Sequence, residues 1–393
     1  MSITNYKPAR CDLCNHKEFR VILNIPNISM TSDDRIIDSG LAKIECLNCK
    51  LIRNGYPFTT DELKMHYGTK YQLGRRATLS EPIFFNDEGA IPRSKVVFDW
   101  IIQSLSKVGF ANPKSILEVG CGEGSLLWHF TRYWKECRSY GIDMNGDSVK
   151  KAHKKGLVVR KGTYKDIDGQ YDLIFSFAVI EHIPSPSDFG LVLKSHLRPN
   201  GLLLIAQPCQ DYGSSDIYFS DHLWHFFSHH ITQLGKRHGL HEILKSTNNE
   251  HIRNFSLHIF QQRGYRTKSK EIISSRLSID QTITKWNKMF EGINKWLSKN
   301  KKHKLAVWGL GQTFTLFCAY TTLREYSLLM AFEDNPERYP QNEFPFPIIR
   351  FDIRPVASDH ELVVLLTFKP ISAIAQKLKE SSISYYSPFE EGM

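Results

Sequence analysis

Three groups of residues in this 393-residue chain combine types and spacings that chemistry can use. Cys11 and Cys14 in "CDLC", with Cys46 and Cys49 in "CLNC", form two Cys-x-x-Cys hooks. Two hooks a few tens of residues apart supply four thiolates, the ligand set of a closed tetrahedral zinc site. Such a site keeps no coordination position open, so a bound Zn2+ would be structural. A redox centre would instead call for one hook at a helix start. The second group is Glu118-Val-Gly120-Cys121-Gly122-Glu123-Gly124, a carboxylate followed by glycines at every second position. Glycines there let a ligand approach the backbone, and no Gly-Lys-Ser/Thr follows to make a P-loop. A carboxylate at that point repels a pyrophosphate and suits a cationic amine. The third group is "YFSDHLWHFFSHH", residues 218–230. His222 and His225 carry imidazoles that titrate near neutrality, and Asp221 is available to orient His222 as a base. His222, His225 and His229 also fall at i, i+3 and i+7, so a metal site on a helix competes with that reading. So does plain packing beside Trp224 and Phe226.

The elements around the glycine loop have to position it. "SILEV" reads as a strand running into the loop, with a helix after it. "YGIDMN" ends a second strand at Asp143, about 20 residues on, where a carboxylate accepts both ribose hydroxyls. "YDLIFSFAVIEHI" is a third strand running from Asp172 toward Glu181 and His182. "HLRPNGLLLIAQP" is a helix end, a Pro-Asn-Gly turn and a further strand, and "SLHIF", 256–260, is a late strand. This alternation predicts an α/β sheet domain, preceded by a helix over 93–108 with Val97, Trp100, Ile101, Leu105 and Val108 on one face. A ligand with an adenosine, an ammonium group and no phosphate suits these residues, and S-adenosylmethionine is such a ligand. A NAD-binding Rossmann domain accommodates Glu118 poorly.

In this order and spacing, Glu118, the three glycines, Asp143, "IEHI" and "LRPNGLLLI" resemble the class I S-adenosylmethionine-dependent methyltransferases over roughly residues 93–260. The resemblance implies that Gly120, Gly122 and Gly124 contact the methionine end of the cofactor and Asp143 its ribose. It also puts Thr163 and Tyr164 near the adenine. The whole layout resembles the zinc-containing sugar C-methyltransferases, which act on nucleotide-linked 4-keto-deoxysugars. That likeness rests on the cysteine hooks, on "FTTDELKMHYGTKY", and on "VWGLGQTFTLF" with "AFEDNPERYP" and "LVVLLTF" near the end. By resemblance Tyr71 is a tyrosine beside the acceptor. The chain departs from that family where Asp221-His222 replaces a Glu-His pair, where Phe219 replaces a tyrosine, and where "QLGRRATLS" replaces a serine-rich loop. The expected base is His222 with Asp221 as its partner, His225 as a second candidate and Tyr71 as hydrogen-bond donor. O-methylation of a sugar or related metabolite, and methylation of RNA, are the alternatives.

The expected architecture is α/β. A zinc module and substrate loop occupy 1–75, and a Rossmann-like methyltransferase sheet 76–262. A helical linker over 263–303 carries Ile283, Trp286, Phe290, Ile293 and Leu297 at helical spacing, and a Rossmann-like lobe fills 304–393. "GLGQTF" in that lobe places Phe314 where a dinucleotide fingerprint has its third glycine, so substrate support is the expected role. Lys and Arg number 51 against 41 acidic residues, a net +10. The excess suits an anionic acceptor such as a pyrophosphate-bearing sugar, with Arg75, Arg76 and Arg93 as charge partners. Basic residues are too dispersed to outline a nucleic-acid face. No apolar run long enough for a membrane span and no signal-like N-terminus appear, so a cytoplasmic location is expected. Nothing in the sequence fixes the oligomeric state.

Overall fold

Apolar alternation over the first fifty residues produces an antiparallel sheet from β1 (Phe19–Ile25), β2 (Leu41–Cys46) and β3 (Ile52–Asn54). A fourth strand comes from far along the chain: Trp224–His225 pairs antiparallel with β3. The computed structural model describes residues 10–56, 58–71, 83–86, 89–247, 252, 254–262, 277–333, 336–339, 344–350, 362–367 and 372–389. Arg75, Arg76 and the "QLGRRATLS" loop lie outside these residues. After β3 comes α1 (Thr60–Met65), opened by a capping box in which Thr59 and Glu62 each satisfy the other's backbone N–H. It tightens into one π turn, His66–Lys70, that ends at Tyr71.

The central domain starts with α2 (Arg93–Lys107) and alternates β4 (Ser115–Val119), α3 (Ser125–Tyr133), β5 (Arg138–Asp143), α4 (Gly146–Lys154), β6 (Val158–Lys161), β7 (Tyr171–Phe177), α5 (Pro186–Ser195) and β8 (Leu197–Pro208). It closes with α6 (Ser228–Arg237), β9 (His241–Thr247) and β10 (Phe255–Gln261). The sheet order is β6-β5-β4-β7-β8-β10-β9. β10 runs antiparallel between β8 and β9, and the β6–β8 strands pair in parallel. The order reverses at β4, so the crevice beyond the carboxyl ends of β4 and β7 is where ligands bind in such sheets. The expected Pro-Asn-Gly turn does not interrupt β8. It forms a bulge, with Asn200 at φ 66° and a register jump opposite Tyr171 and Leu173. A continuous ladder satisfies more buried backbone groups than a free turn would.

The third sheet, β13-β12-β11-β14-β15, is parallel throughout. It comprises β11 (Lys304–Trp308), β12 (Leu328–Phe332), β13 (Ile348–Ile349), β14 (Leu362–Leu366) and β15 (Ser384–Tyr386), with α8 (Gln312–Tyr320) after β11 and α9 (Ser372–Glu380) before β15. The 263–303 stretch expected as a linker holds α7 (Ile279–Lys299), whose Ile283, Trp286, Phe290, Ile293 and Leu297 are all buried. They share one core with Leu23, Leu41 and Ile52 of the first sheet, with Met30, and with Leu305 of the third sheet and Phe314 and Phe317 of its helix α8. α7 is thus the hydrophobic joint between the two outer parts. Ile293, fully buried, would cost about 2–5 kcal/mol on truncation to Ala. Among the described residues, no helix is long and apolar enough to cross a membrane.

Candidate active site

The loop after β4 is built for close approach. Gly120 and Gly124 both have φ +73°, and a Cβ there would sit 2.5 Å from Val179 Cγ2 and 2.4 Å from Leu157 Cδ1 respectively. Gly122, at φ +51°, has nothing within 4 Å of where its Cβ would stand, so it borders open space. Asp143, at the end of β5, locks this loop: Oδ2 accepts from Gly122 N at 2.8 Å and Oδ1 from Asn145 N at 2.8 Å. Burial still lifts its carboxyl above the usual range. Glu118 is 4 % exposed, and its Oε2 has no hydrogen-bond partner among the described residues. Burial first, and then the Asp143 charge, push its pKa well up. A ligand bringing ribose hydroxyls and an ammonium group would satisfy both carboxylates, so these residues fit S-adenosylmethionine. The Tyr164 side chain does not join them. Its hydroxyl donates to Asp188 Oδ2 at 2.7 Å and its ring packs on Phe189, while Thr163 caps the turn through Asp166. Core packing claims the tyrosine that sequence assigned to the adenine. The backbone there does stay close, since Gly162 N donates to Asp143 O at 2.9 Å.

Across the crevice the π turn delivers His66, Tyr67 and Tyr71 as a cluster, with Tyr67 and Tyr71 ring centroids 5.2 Å apart. Tyr71 O accepts from Asn145 Nδ2 at 3.3 Å, which ties this cluster to the end of the cofactor strand. The turn after β7 adds Glu181 and His182. The Tyr67 hydroxyl lies 2.5 Å from His182 Nδ1 and 3.3 Å from Asp221 Oδ2. Burial lowers His182 to about 3, so it is neutral at pH 7. Glu181 is 1 % exposed, neither of its carboxyl oxygens has a hydrogen-bond partner among the described residues, and Oε1 lies 3.9 Å from His182 Nε2. Burial raises it to about 7.

Asp221 and His222 are neighbours in sequence but turn to different partners. Asp221 accepts from Ser32 N at 2.8 Å, from Ser32 Oγ at 2.7 Å and from His66 Nε2 at 3.3 Å. The carboxylate that orients His222 is Asp216, not Asp221. Asp216 Oδ2 accepts from His222 Nδ1 at 3.2 Å and from His225 Nδ1 at 2.8 Å, and its Oδ1 from Gln210 Nε2 at 2.5 Å. Burial opposes charge on both members of the His222–Asp216 bond, yet the pair wins. His222 is raised above its ordinary value, and the two imidazoles hold Asp216 far below the carboxylate range. His225 is driven the other way, to about 3, by burial and then by the Lys43 charge. The helical metal reading of His222, His225 and His229 does not survive, because His225 lies in an extended strand and α6 begins only at Ser228. Asp216 and Lys43 carry no sequence motif of their own, whereas Tyr67 lies within "FTTDELKMHYGTKY" and Glu181 within "IEHI", stretches whose expected acceptor-side residue is Tyr71 alone.

The four cysteines converge. Cys11 and Cys49 Sγ are 3.5 Å apart, as are Cys14 and Cys46, and all four sulfurs lie within 4.8 Å of one another. Zn–S bonds of about 2.3 Å in a tetrahedron put sulfurs about 3.8 Å apart, so the set fits a zinc ion. Both hooks have the same fold: Asn15 N donates to Cys11 O and Lys50 N to Cys46 O, with Asn15 and Lys50 at φ 63° and 66°. Arg237 of α6 donates to Asp12 O and Leu13 O, and His230 Nε2 to Cys49 O, docking the hooks onto the central domain.

Comparison with known proteins agrees with the central part. Residues 93–254 match a family described as a methyltransferase domain. A probable (S)-tetrahydroprotoberberine N-methyltransferase 2 from Papaver bracteatum is 27 % identical over 105 residues, covering 24 % of this chain and 29 % of that protein. A trans-aconitate 2-methyltransferase from Azoarcus sp. is 27 % identical over 109 residues, covering 26 % of this chain and 43 % of that one. The chain thus spans less than half the length of these curated relatives. Among solved structures, a putative sarcosine dimethylglycine methyltransferase from Galdieria sulphuraria has TM-score 0.40 and 13 % identity, covering 47 % of this chain and 94 % of that one.

Proposed function

The chain carries a class I S-adenosylmethionine-dependent methyltransferase domain, and on that premise we propose that it methylates a nucleotide-activated deoxysugar, at carbon, through an enolate. The observation that carries this reading is the buried proton-handling cluster opposite the cofactor loop: His222 held by Asp216, with Tyr67, Tyr71, Glu181 and His182 around it. An acceptor that must lose a C–H or O–H proton needs such a base, and a free amine needs far less. The third sheet, joined to the first through α7, supports a role in holding the bulk of a large acceptor. There Glu333 accepts from Leu310 N at the turn after β11, and a net +10 suits a pyrophosphate. We assign a structural Zn2+ to Cys11, Cys14, Cys46 and Cys49.

In this reading Gly120, Gly122 and Gly124 seat the methionine end of the cofactor. Asp143 takes its ribose and Glu118 its ammonium. His222 Nε2 takes the proton from the carbon next to the ketone, and its imidazolium is stabilised by Asp216 through Nδ1. Tyr71 donates to the developing enolate oxygen, and burial, which comes first in keeping its hydroxyl protonated, favours that donor role. Bound S-adenosylmethionine would supply the methyl group that the enolate carbon takes, its C–S electron pair staying on the sulfur of S-adenosylhomocysteine. Asp221 positions His66 and Tyr67, and His225 shares Asp216 without touching the acceptor.

O-methylation of a hydroxy sugar is the second reading. It is favoured by Phe219, which is buried in the core and offers no hydroxyl where the resembled family has one. The test is methyl transfer from labelled S-adenosylmethionine to a nucleotide-linked 4-keto-6-deoxysugar, its 4-hydroxy form, and bulk RNA. Label in a new carbon–carbon bond supports the enolate route, and label only on oxygen replaces it with the second reading. Label on RNA alone removes the sugar reading. His222→Asn is expected to bind S-adenosylhomocysteine normally and lose turnover by about a hundredfold or more, and full turnover would remove the base assignment.

A further inference from the structure

Lys43 lies at the centre of β2, three residues before the Cys46 ligand position, and is fully buried. Its Nζ donates to Asn54 Oδ1, to Phe219 O at 2.7 Å and to His222 O at 3.2 Å. Three acceptors occupy three N–H bonds, which a neutral amine does not possess. Asn54 extends the grip: Nδ2 donates to Ser220 O at 2.5 Å and N to Leu223 O at 2.9 Å. In the His222 loop, Phe219, Ser220 and His222 are therefore held by the side chains of Lys43 and Asn54, and Leu223 by the Asn54 backbone.

We propose that Lys43 is a positioning residue for proton transfer, its buried ammonium clamping the His222 loop and keeping the charge of the Asp216-bridged pair on His222 rather than His225. The proposal rests on the reading of His222 as the base. Burying an ammonium is costly, and an apolar residue of the same length would fill the space at no electrostatic cost. What the ammonium adds is a bridge to three carbonyl oxygens and a field. Burial brings the ammonium's pKa down to about 7, and Asp216 and Asp221, which face it from the loop, oppose that fall. His225, on the strand Trp224–His225, is lowered first by its burial and then by the Lys43 charge. His222 is faced instead by Glu181 and His182 from the turn after β7, and by Asp216 and Asp221. His66, from the π turn, pairs with Asp221. One carboxylate bridging two imidazoles leaves the location of the proton open, and a cation on one side decides it.

The experiment is a side-chain 15N NMR titration of histidine-labelled full-length protein saturated with S-adenosylhomocysteine, with His222→Asn and His225→Gln used for assignment. In the wild type, His222 should titrate above its ordinary value and His225 should stay neutral down to pH 5. The reverse order overturns the proposal without any Lys43 variant. In Lys43→Met the His225 titration should rise by about one unit or more. Lys43→Arg should keep His225 neutral, even with a lowered Tm. An unchanged His225 in Lys43→Met, or Lys43→Arg behaving as Lys43→Met, refutes it. Should Lys43→Met not fold, Lys43→Gln takes its place. The titration requires no acceptor, so a failure of the base assignment, read from turnover in His222→Asn, is separate from a failure here.

Discussion

Replacing Asp216 by Asn gives the most discriminating perturbation, because the amide keeps the shape and removes the charge. Asp216 Oδ2 accepts from two imidazole Nδ1 atoms, and the Asn oxygen can occupy the same place. The new NH2 would then meet the Gln210 Nε2 that now donates to Oδ1. Gln210 can answer by flipping, since its Oε1 has no partner among the described residues. Packing is retained, and what changes is the strength of the bonds. A hydrogen bond to a charged group contributes roughly 1.5–3 kcal/mol and a neutral one roughly 0.5–1.5, a difference of about 1–1.5 kcal/mol at His222. At 1.36 kcal/mol per unit, the His222 pKa should fall by about one unit. Its raised pKa means that His222 becomes a free base only as pH rises through a value above that of an ordinary imidazole. The wild-type turnover should therefore climb with pH to a plateau, and in Asp216→Asn the climb should move about one unit lower. The plateau should also drop, by roughly threefold, because a weaker base transfers the proton less well. The two profiles cross: in acid the roughly tenfold larger fraction of free base outweighs the threefold lower plateau and the variant is about threefold faster, while in alkali it is about threefold slower. Turnover of the nucleotide-linked 4-keto-6-deoxysugar from pH 5.5 to 9.5 measures this. A loss of the same factor at every pH would mean that Asp216 serves only to hold the loop together, and the reasoning would fail.

Asp143→Ala removes the acceptor of two backbone N–H groups as well as the expected ribose partner, so calorimetry should find S-adenosylhomocysteine bound about a hundredfold more weakly; unchanged affinity would remove Asp143 from the cofactor site. Purified protein should contain one zinc per chain by mass spectrometry, and Cys46→Ser should lose both the metal and several degrees of Tm; a metal-free wild type of full stability would overturn the zinc assignment. Stability should also depend on pH. His182 and His225 are depressed to about 3, so their contribution is present above the unfolded value near 6.5 and is lost as pH falls toward 3. Between pH 7 and 5 each should cost about 2 kcal/mol, opposed by the raised His222, Glu181 and Glu118. The check is a variant: His225→Gln should lose that share of the pH dependence in urea unfolding, and an unchanged dependence would contradict this.

What sequence could show depended on how local the signal was. Glu118, the glycines and Asp143 sit on one strand-turn-helix unit and the next strand, so spacing alone gives their geometry. The cysteine hooks are legible for the same reason, as each is closed by its own turn. The acceptor side is not local. Adjacency suggested Asp221 as the partner of His222, but Asp221 turns to Ser32 and His66, and the partner came from Asp216, six residues back. The i, i+3, i+7 spacing of the histidines meant nothing without a helix to realise it. For Tyr164, a tyrosine ring can serve a core as well as a ligand, and its ring packs on Phe189 while its hydroxyl donates to Asp188.

The division into successive domains also hid how the site is made. β3 pairs with Trp224–His225, Lys43 and Asn54 hold the His222 loop, and Ser32 holds Asp221, so four contacts of the cysteine module fix residues numbered near 220. Ser32 in turn is contacted by Gln312 of α8, which donates to its carbonyl oxygen at 2.8 Å. The short hairpin Ser29–Met30 and Ile36–Ile37 thus touches the third sheet's helix on one side and the Asp221 carboxylate on the other. A four-thiolate centre remote from the acceptor then has a definite mechanical consequence. It anchors the end of β2, β2 carries Lys43, and Lys43 sets the backbone on which His222 is mounted. The methyl-donor side needs none of this, being complete within the central sheet. The two halves of the site therefore have separate origins in the fold, and damage to the cysteine centre should reach the proton-transfer half before it reaches the cofactor half.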